Sequence, residues 1–193
     1  MERKADIKRK TSETDISLKI NLDDISPSEI STGVPFFDHM LNAFAKHGQF
    51  YLEIRCDGDT QIDDHHSVED IGIVMGLAFK KALGDKKGIS RFGFASVPMD
   101  DSLAQVSVDF SGRAFYKYTG CELSGYISDY AEELTNEFFY AFAANAGMNL
   151  HANLIYGQNR HHIHEALFKA LAVAVREAKK IVSDEIPSTK GVI

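Results

Sequence analysis

The sequence predicts an α+β fold made of two similar halves, each a mainly antiparallel sheet with helices on one face. Three observations predict it. The pattern His-His-x-x-Glu occurs twice, as His65-His66-Ser67-Val68-Glu69 and as His161-His162-Ile163-His164-Glu165. Each copy begins a long helix-like run. Each run closes the same succession of hydrophobic periodicities, strand, strand, helix, strand, helix, and a succession repeated at this spacing is the mark of an internal duplication.

In the first half, residues 8–14 are polar and begin an edge strand, and Ile16 to Leu22 alternate apolar and polar without a break. Alternation of this kind buries one face and wets the other, as in a strand. After a turn-rich segment around Pro27 and Gly33 comes a helix from Pro35 to Gly48. Proline suits its first turn and glycine its C-terminal stop. Phe37, Leu41 and Phe44 form its apolar stripe, and His39 lies off that stripe. Tyr51 to Cys56 alternates again and ends at the turn Asp57-Gly58-Asp59. A helix then runs from about Asp64, read as its N-cap, to Leu83, with its stop at Gly84.

The second half starts over with strands at Gly93–Val97 and Leu103–Phe110, joined by a turn at Pro98-Met99-Asp100-Asp101. A loop rich in glycine and tyrosine leads to a helix from Tyr130 to Ala146, closed by Gly147. Met148 to Tyr156 reads as a strand, Gly157-Gln158-Asn159 as a turn, and the last helix runs to about Ile181. The chain divides into a first half, 1–90, a second half, 91–182, and a C-terminal tail, 183–193. The last helix is apolar on nearly every side from Ala166 to Val175, which predicts packing beyond the sheet of its own half and hence a homo-oligomer.

Composition bounds the function. A chain of 193 residues with 44% hydrophobic and 25% charged residues can bury a sizeable core. With 28 acidic against 21 basic residues the net charge is −7, which argues against nucleic acid as the main partner. The first residues lack the apolar stretch of a signal peptide, and no run approaches membrane-spanning length, so no membrane partner is expected. Two cysteines, Cys56 and Cys121, fit a reduced, cytoplasmic setting.

The chemistry lies in the repeated motif. A histidine and a carboxylate four residues apart, His65 with Glu69 and His161 with Glu165, share one face of a helix and can chelate one ion. The second histidine of each pair, His66 or His162, points about 100° further round and faces a different ion. Matching the two first helices by Gly48 and Gly147 sets Asp38-His39 against Glu137-Phe138, and to within one residue of that alignment Glu137 is read as the counterpart of His39. Eight candidate ligands then suit two ions with positions left for substrate or water. Glu13, Arg91, Arg113, Ser188, Thr189 and Lys190 are ordinary surface or tail residues when taken singly.

Together these stretches resemble the imidazoleglycerol-phosphate dehydratases. The resemblance rests on Thr32-Gly33-Val34-Pro35-Phe36-Phe37-Asp38-His39, Asp63-Asp64-His65-His66-Ser67-Val68-Glu69-Asp70, Ser111-Gly112-Arg113, Asn159-Arg160-His161-His162 through Ala170, and Pro187-Ser188-Thr189-Lys190-Gly191. It implies a duplicated subunit of the ribosomal protein S5 domain 2-like kind, a cytoplasmic shell of 24 subunits with active sites between them, and two manganese ions per subunit. It implies dehydration of imidazole glycerol phosphate to imidazole acetol phosphate in histidine biosynthesis, with the substrate ring carrying the charge. The implied metal ligands are His39, His65, His66, Glu69, His161, His162 and Glu165, which also face the substrate, with Glu137 where many members have histidine. Glu13 matches a substrate-contacting glutamate and is the first candidate for moving the proton, ahead of Glu69 and Glu165. Arg91, Arg113, Lys169, Ser188 and Lys190, with Thr189 between them, match phosphate-binding positions, and His47 a position near the substrate. Ala43 departs from the glutamine of several members. His151 and His164 are expected to be structural. The rival activity is a dinuclear metallohydrolase acting on a small phosphorylated substrate.

Overall fold

A computed structural model describes residues 2–191 and 193. In chain order the first half contains β1 (Lys4–Lys10), β2 (Thr14–Asn21), β3 (Glu29–Ser31), α1 (Pro35–Gly48), β4 (Tyr51–Gly58) and α2 (His65–Leu83). The second contains β5 (Phe92–Met99), β6 (Ser102–Asp109), β7 (Phe115–Thr119), β8 (Tyr126–Ile127), β9 (Tyr130–Ala131), α3 (Leu134–Ala146), β10 (Asn149–Tyr156) and α4 (Arg160–Ala178). The alternating segments become strands that bury every second residue, as at Ile16, Leu18 and Ile20 of β2. No helix among the described residues is long and apolar enough to cross a membrane.

The duplication is explicit in the sheets. Their strand orders, β1-β2-β4-β3 and β5-β6-β10-β7, are the same topology. In each, one short strand (β3 or β7) pairs parallel at the edge, and every other pairing is antiparallel. The sequence does not mark these edge strands, because β3 has only three residues and β7 only five, half-buried on one face through Tyr116 and Tyr118. Register fixes the correspondence between halves. Lys10 faces Asp15 as Pro98 faces Leu103, an offset of 88 that sets Glu13 against Asp101. Gln49 and Gly147 both close their helices in the left-handed conformation, at φ 52° and 65°. That offset of 98 makes Glu137 the counterpart of His39, whereas matching Gly48 to Gly147 is one residue off.

The helices lie between the two sheets. α1 and α2 cover the first sheet and α3 and α4 the second, while α1 packs on α4 and α2 on α3, so the first helix of each half rests on the second helix of the other. A ladder of aromatic rings, Phe37, Phe44, Phe79, Phe138, Phe142 and Phe168, fills the contact. α2 and α3 approach closely because Gly72 and Gly76 lack side chains. A Cβ on Gly76 would sit 2.7 Å from both Phe142 O and Ala146 N.

Four expectations need correction. The all-round apolar surface of α4 is consumed within the chain by β5, β6, β10 and α1, so it does not by itself call for an oligomer. α3 starts at Leu134, because Tyr130 is drawn into the hairpin β8–β9 around left-handed Ser128 (φ 53°). α4 stops at Ala178, where the chain turns extended to pair with residues 88–90: Val182 N–H donates to Gly88 O and Ser90 N–H to Lys180 O, both at 2.7 Å. Asp64 stands at the N-cap of α2 but has helical dihedrals that aim its carboxylate away, and Asp63 Oδ1 accepts the His65 N–H instead, at 2.8 Å.

Candidate functional site

α4 begins where the side-chain oxygen of Asn159 accepts the His162 N–H at 3.3 Å. From there the helix carries His161 and Glu165 one turn apart on the side facing α1. His39 meets them from α1. His161 Nε2 lies 3.3 Å and His39 Nε2 3.9 Å from Glu165 Oε2. One ligand atom from each residue falls within 4.8 Å of the others, the only such group of three among the described residues. The other oxygen of Glu165 accepts from Lys169 Nζ at 2.7 Å. Burial pushes the Glu165 carboxyl up, but the Lys169 ammonium, His39 and His161 outweigh it and hold the pKa below the ordinary glutamate value. A cavity of about 520 Å³ opens beside this group, lined among others by His39, Ala43, His47, Phe50, Glu165 and Lys169. Its size suits a small molecule. His47, partly buried and close to the cations Lys169, Lys46 and Arg176, is held below its ordinary pKa.

The other motif residues form separate groups. His65 Nε2 is 3.7 Å from Glu69 Oε2, the expected pairing along one helix face. His66 turns away to Asp59, both of whose oxygens lie 3.1 Å from its Nδ1, and Glu13 Oε1 is 3.7 Å from its Nε2. His162 turns the same way in the second half, with Nδ1 2.6 Å from Asp101 Oδ1 and Nε2 3.6 Å from Asp100 Oδ2. Glu137 occupies the first turn of α3 and does not join a group of three among the described residues.

The basic candidates gather elsewhere. Arg91 N–H donates to Ala178 O at the far end of α4. Ala178 is 17 residues beyond His161, or about 25 Å along the axis at 1.5 Å per residue. The Arg91 guanidinium holds Asp109 at 2.6 and 3.1 Å and Pro187 O at 2.9 Å, so it anchors the tail carrying Ser188, Thr189 and Lys190. Gly112, next to Arg113, abuts Ile193. Lys169 is the exception, being placed at Glu165 rather than with the other cations.

A sequence profile of the imidazoleglycerol-phosphate dehydratases matches residues 32–175. A relative of that name from Prochlorococcus marinus (strain AS9601) is 53% identical over 194 residues, covering 99% of this chain and 96% of the relative. The chain belongs to the imidazoleglycerol-phosphate dehydratase family. The same name is carried by a relative from Caldanaerobacter subterraneus, 51% identical over 99% of this chain and 100% of its own length. The solved dehydratase from Staphylococcus aureus superposes with a TM-score of 0.85 at 38% identity, covering 93% of this chain and 99% of that one. The Pyrococcus furiosus structure gives 0.84 at 37% identity, covering 97% and 100%. As a member of this family the chain is a hydro-lyase.

Within this dehydratase, several polar residues that the sequence reading passed over support the site. Asp59, Asp100 and Asp101 surround the second histidines of the two motifs. Nothing local marks Asp59 or Asp101, and the correspondence of Asp101 with Glu13 comes only from the strand register. Behind His161, buried Glu132 clamps Arg160 in the first turn of α4 through a two-pronged ion pair. Adjacent His164 is fully buried, with Nδ1 2.8 Å from Thr135 Oγ1, and desolvation pushes its pKa down to about 4. It is held as a neutral packing residue, in keeping with a structural role. His151 lies tilted against Phe115, ring centroids 5.3 Å apart, on the exposed face of β10.

Proposed function

We propose that this chain dehydrates imidazole glycerol phosphate to imidazole acetol phosphate in histidine biosynthesis, in the cytoplasm, with two Mn²⁺ per subunit in a 24-subunit homo-oligomer. The observation that carries the reading is the His39–His161–Glu165 group, one ligand atom from each within 4.8 Å, beside a cavity in a member of this family. Imidazole nitrogen and carboxylate oxygen form a donor set that Mn²⁺ accepts. That group would hold one ion, and His65 and Glu69 would begin the set for a second, with Glu137 a further candidate; His66 and His162, on other faces of their helices, would each serve an ion other than that of their own motif partners. Bound there, such ions supply Lewis acidity toward the substrate's ring. The free thiols of Cys56 and Cys121 fit a reducing compartment.

The protein's own groups do the rest. Glu13 is half exposed, 3.7 Å from His66 Nε2, and accepts the proton from the substrate carbon while the neighbouring C–O bond breaks; that proton passes to the departing hydroxide, which leaves as water, and the enol product tautomerises to the ketone. Arg113, Ser188, Thr189 and Lys190 grip the phosphate. Arg91 spends three of its five donors on Asp109 and Pro187 and so shapes that grip as much as it binds. Lys169 and His47 line the same cavity as His39. Because Arg91, which anchors the tail, meets α4 about 25 Å along its axis from the His161 end, a substrate held by both ends would be shared between two copies of the chain. This separation favours active sites at subunit interfaces.

Metal analysis with a Glu13→Gln variant tests the reading. We expect about two Mn²⁺ per chain in wild type and variant alike, with turnover of imidazole glycerol phosphate reduced at least about 100-fold in the variant. Unchanged turnover removes Glu13 from the chemistry. Turnover of generic phosphate esters by the wild type would favour a hydrolase instead.

A further inference from the structure

We propose that Asp101 and Asp59 are positioning residues that hold His162 and His66 with the proton on Nδ1, so that Nε2 presents its lone pair. The consequence for metal binding rests on the two-ion reading above; the tautomers themselves do not. An ionised carboxylate only accepts hydrogen bonds, so a ring nitrogen facing one must carry the proton. Asp101 Oδ1 faces His162 Nδ1 at 2.6 Å, while its Oδ2 accepts the Gln158 and Asn159 N–H groups, each at 2.8 Å. One carboxylate therefore ties the turn between β5 and β6 both to the loop before α4 and to the histidine ring. In the first half Asp59 sets both oxygens 3.1 Å from His66 Nδ1 and donates its own N–H to Glu13 O at 3.1 Å.

The two halves do the same job with different residues. Asp101 is the counterpart of Glu13 by the register offset of 88. In the second half the hairpin turn supplies the carboxylate that holds Nδ1. In the first half the turn after β4 supplies it, and Glu13 is left on the Nε2 side of its histidine. Asp100 takes that side in the second half, at 3.6 Å, too far for a hydrogen bond. Neither Nε2 is used by a neighbour. Each is free to ligate, as orienting carboxylates behind metal-binding histidines arrange.

Substitution by asparagine makes the assignment testable at Asp101. The two backbone N–H groups claim its remaining oxygen, so the amide nitrogen must face His162 Nδ1 and drive the proton to Nε2. Side-chain ¹H–¹⁵N spectra of the metal-free full chain at about pH 9, above the histidine range, should show both wild-type histidines protonated on Nδ1. In Asp101→Asn only His162 should switch; in Asp59→Ala only His66 should lose the preference, and each variant carries the other histidine as its folding control. Mn²⁺ affinity, measured by chelator competition, should fall about 10–100-fold in each. Wild-type protons on Nε2, or tautomers and affinities unchanged in both variants, overturn the proposal. A wild type that binds no Mn²⁺ sinks the two-ion reading, and the spectra still decide the tautomers.

Discussion

At Glu165 one carboxylate is divided between two kinds of neighbour: Oε2 faces His39 and His161, and Oε1 accepts from Lys169 at 2.7 Å. The ammonium competes with any cation held by the same residue. Lys169→Met should therefore tighten Mn²⁺ binding by about tenfold, a fraction of the Coulomb term for charges this close at an effective dielectric of 20, while raising the KM for the phosphorylated substrate. Metal titration and steady-state kinetics on one preparation check both signs. The pairs His65–Glu69 and His161–Glu165 were legible in the sequence because a four-residue spacing on a helix is itself a geometry. Asp59 and Asp101 were not, since they reach their histidines across turns whose closure only the fold decides. The placement of Glu137 was legible only to within one residue, because glycine marked the end of one helix whereas Gln49, also left-handed, closed the other.

Among the elements, the tightest contact is between α2 and α3. Alanine at Gly76 would set its Cβ 2.7 Å from two backbone atoms, which cannot swing aside as a flexible side chain does. Gly76→Ala should cost about 1–3 kcal/mol, or roughly 3–10 °C in Tm for a chain of this size, read by thermal melting. Strand alternation and helix punctuation made most elements legible. The exceptions share a cause: β3, β7 and the β8–β9 hairpin are short and held by neighbours rather than by their own patterning. The end of α4 was likewise set by a distant partner, the 88–90 segment it pairs with. Apolar character around α4 predicts packing beyond its own sheet, but pattern alone does not say whether the partner is another copy or, as here, α1 of the same chain.

For the whole molecule, the distance of about 25 Å along α4 between its His161 end and the Arg91-anchored tail makes a prediction about mixtures. Arg91→Ala and His161→Ala variants should each be nearly inactive alone. Dissociated together and reassembled, they should regain activity, because a mixed interface pairs an intact metal group from one chain with an intact phosphate grip from another. Reassembled pure variants are the controls, and a mixture no more active than these would place both functions in one chain.

The crossed packing of the helices makes each half depend on the other. Because α1 rests on α4 and α2 on α3, the His39–His161–Glu165 group takes its members from both halves. A single half would leave its helices bare, so a half-length chain would need a second copy to cover them and to complete such a group. Joining two halves in one chain frees them to differ, and they do: glutamate at 137 answers histidine at 39, and Asp101 answers Glu13.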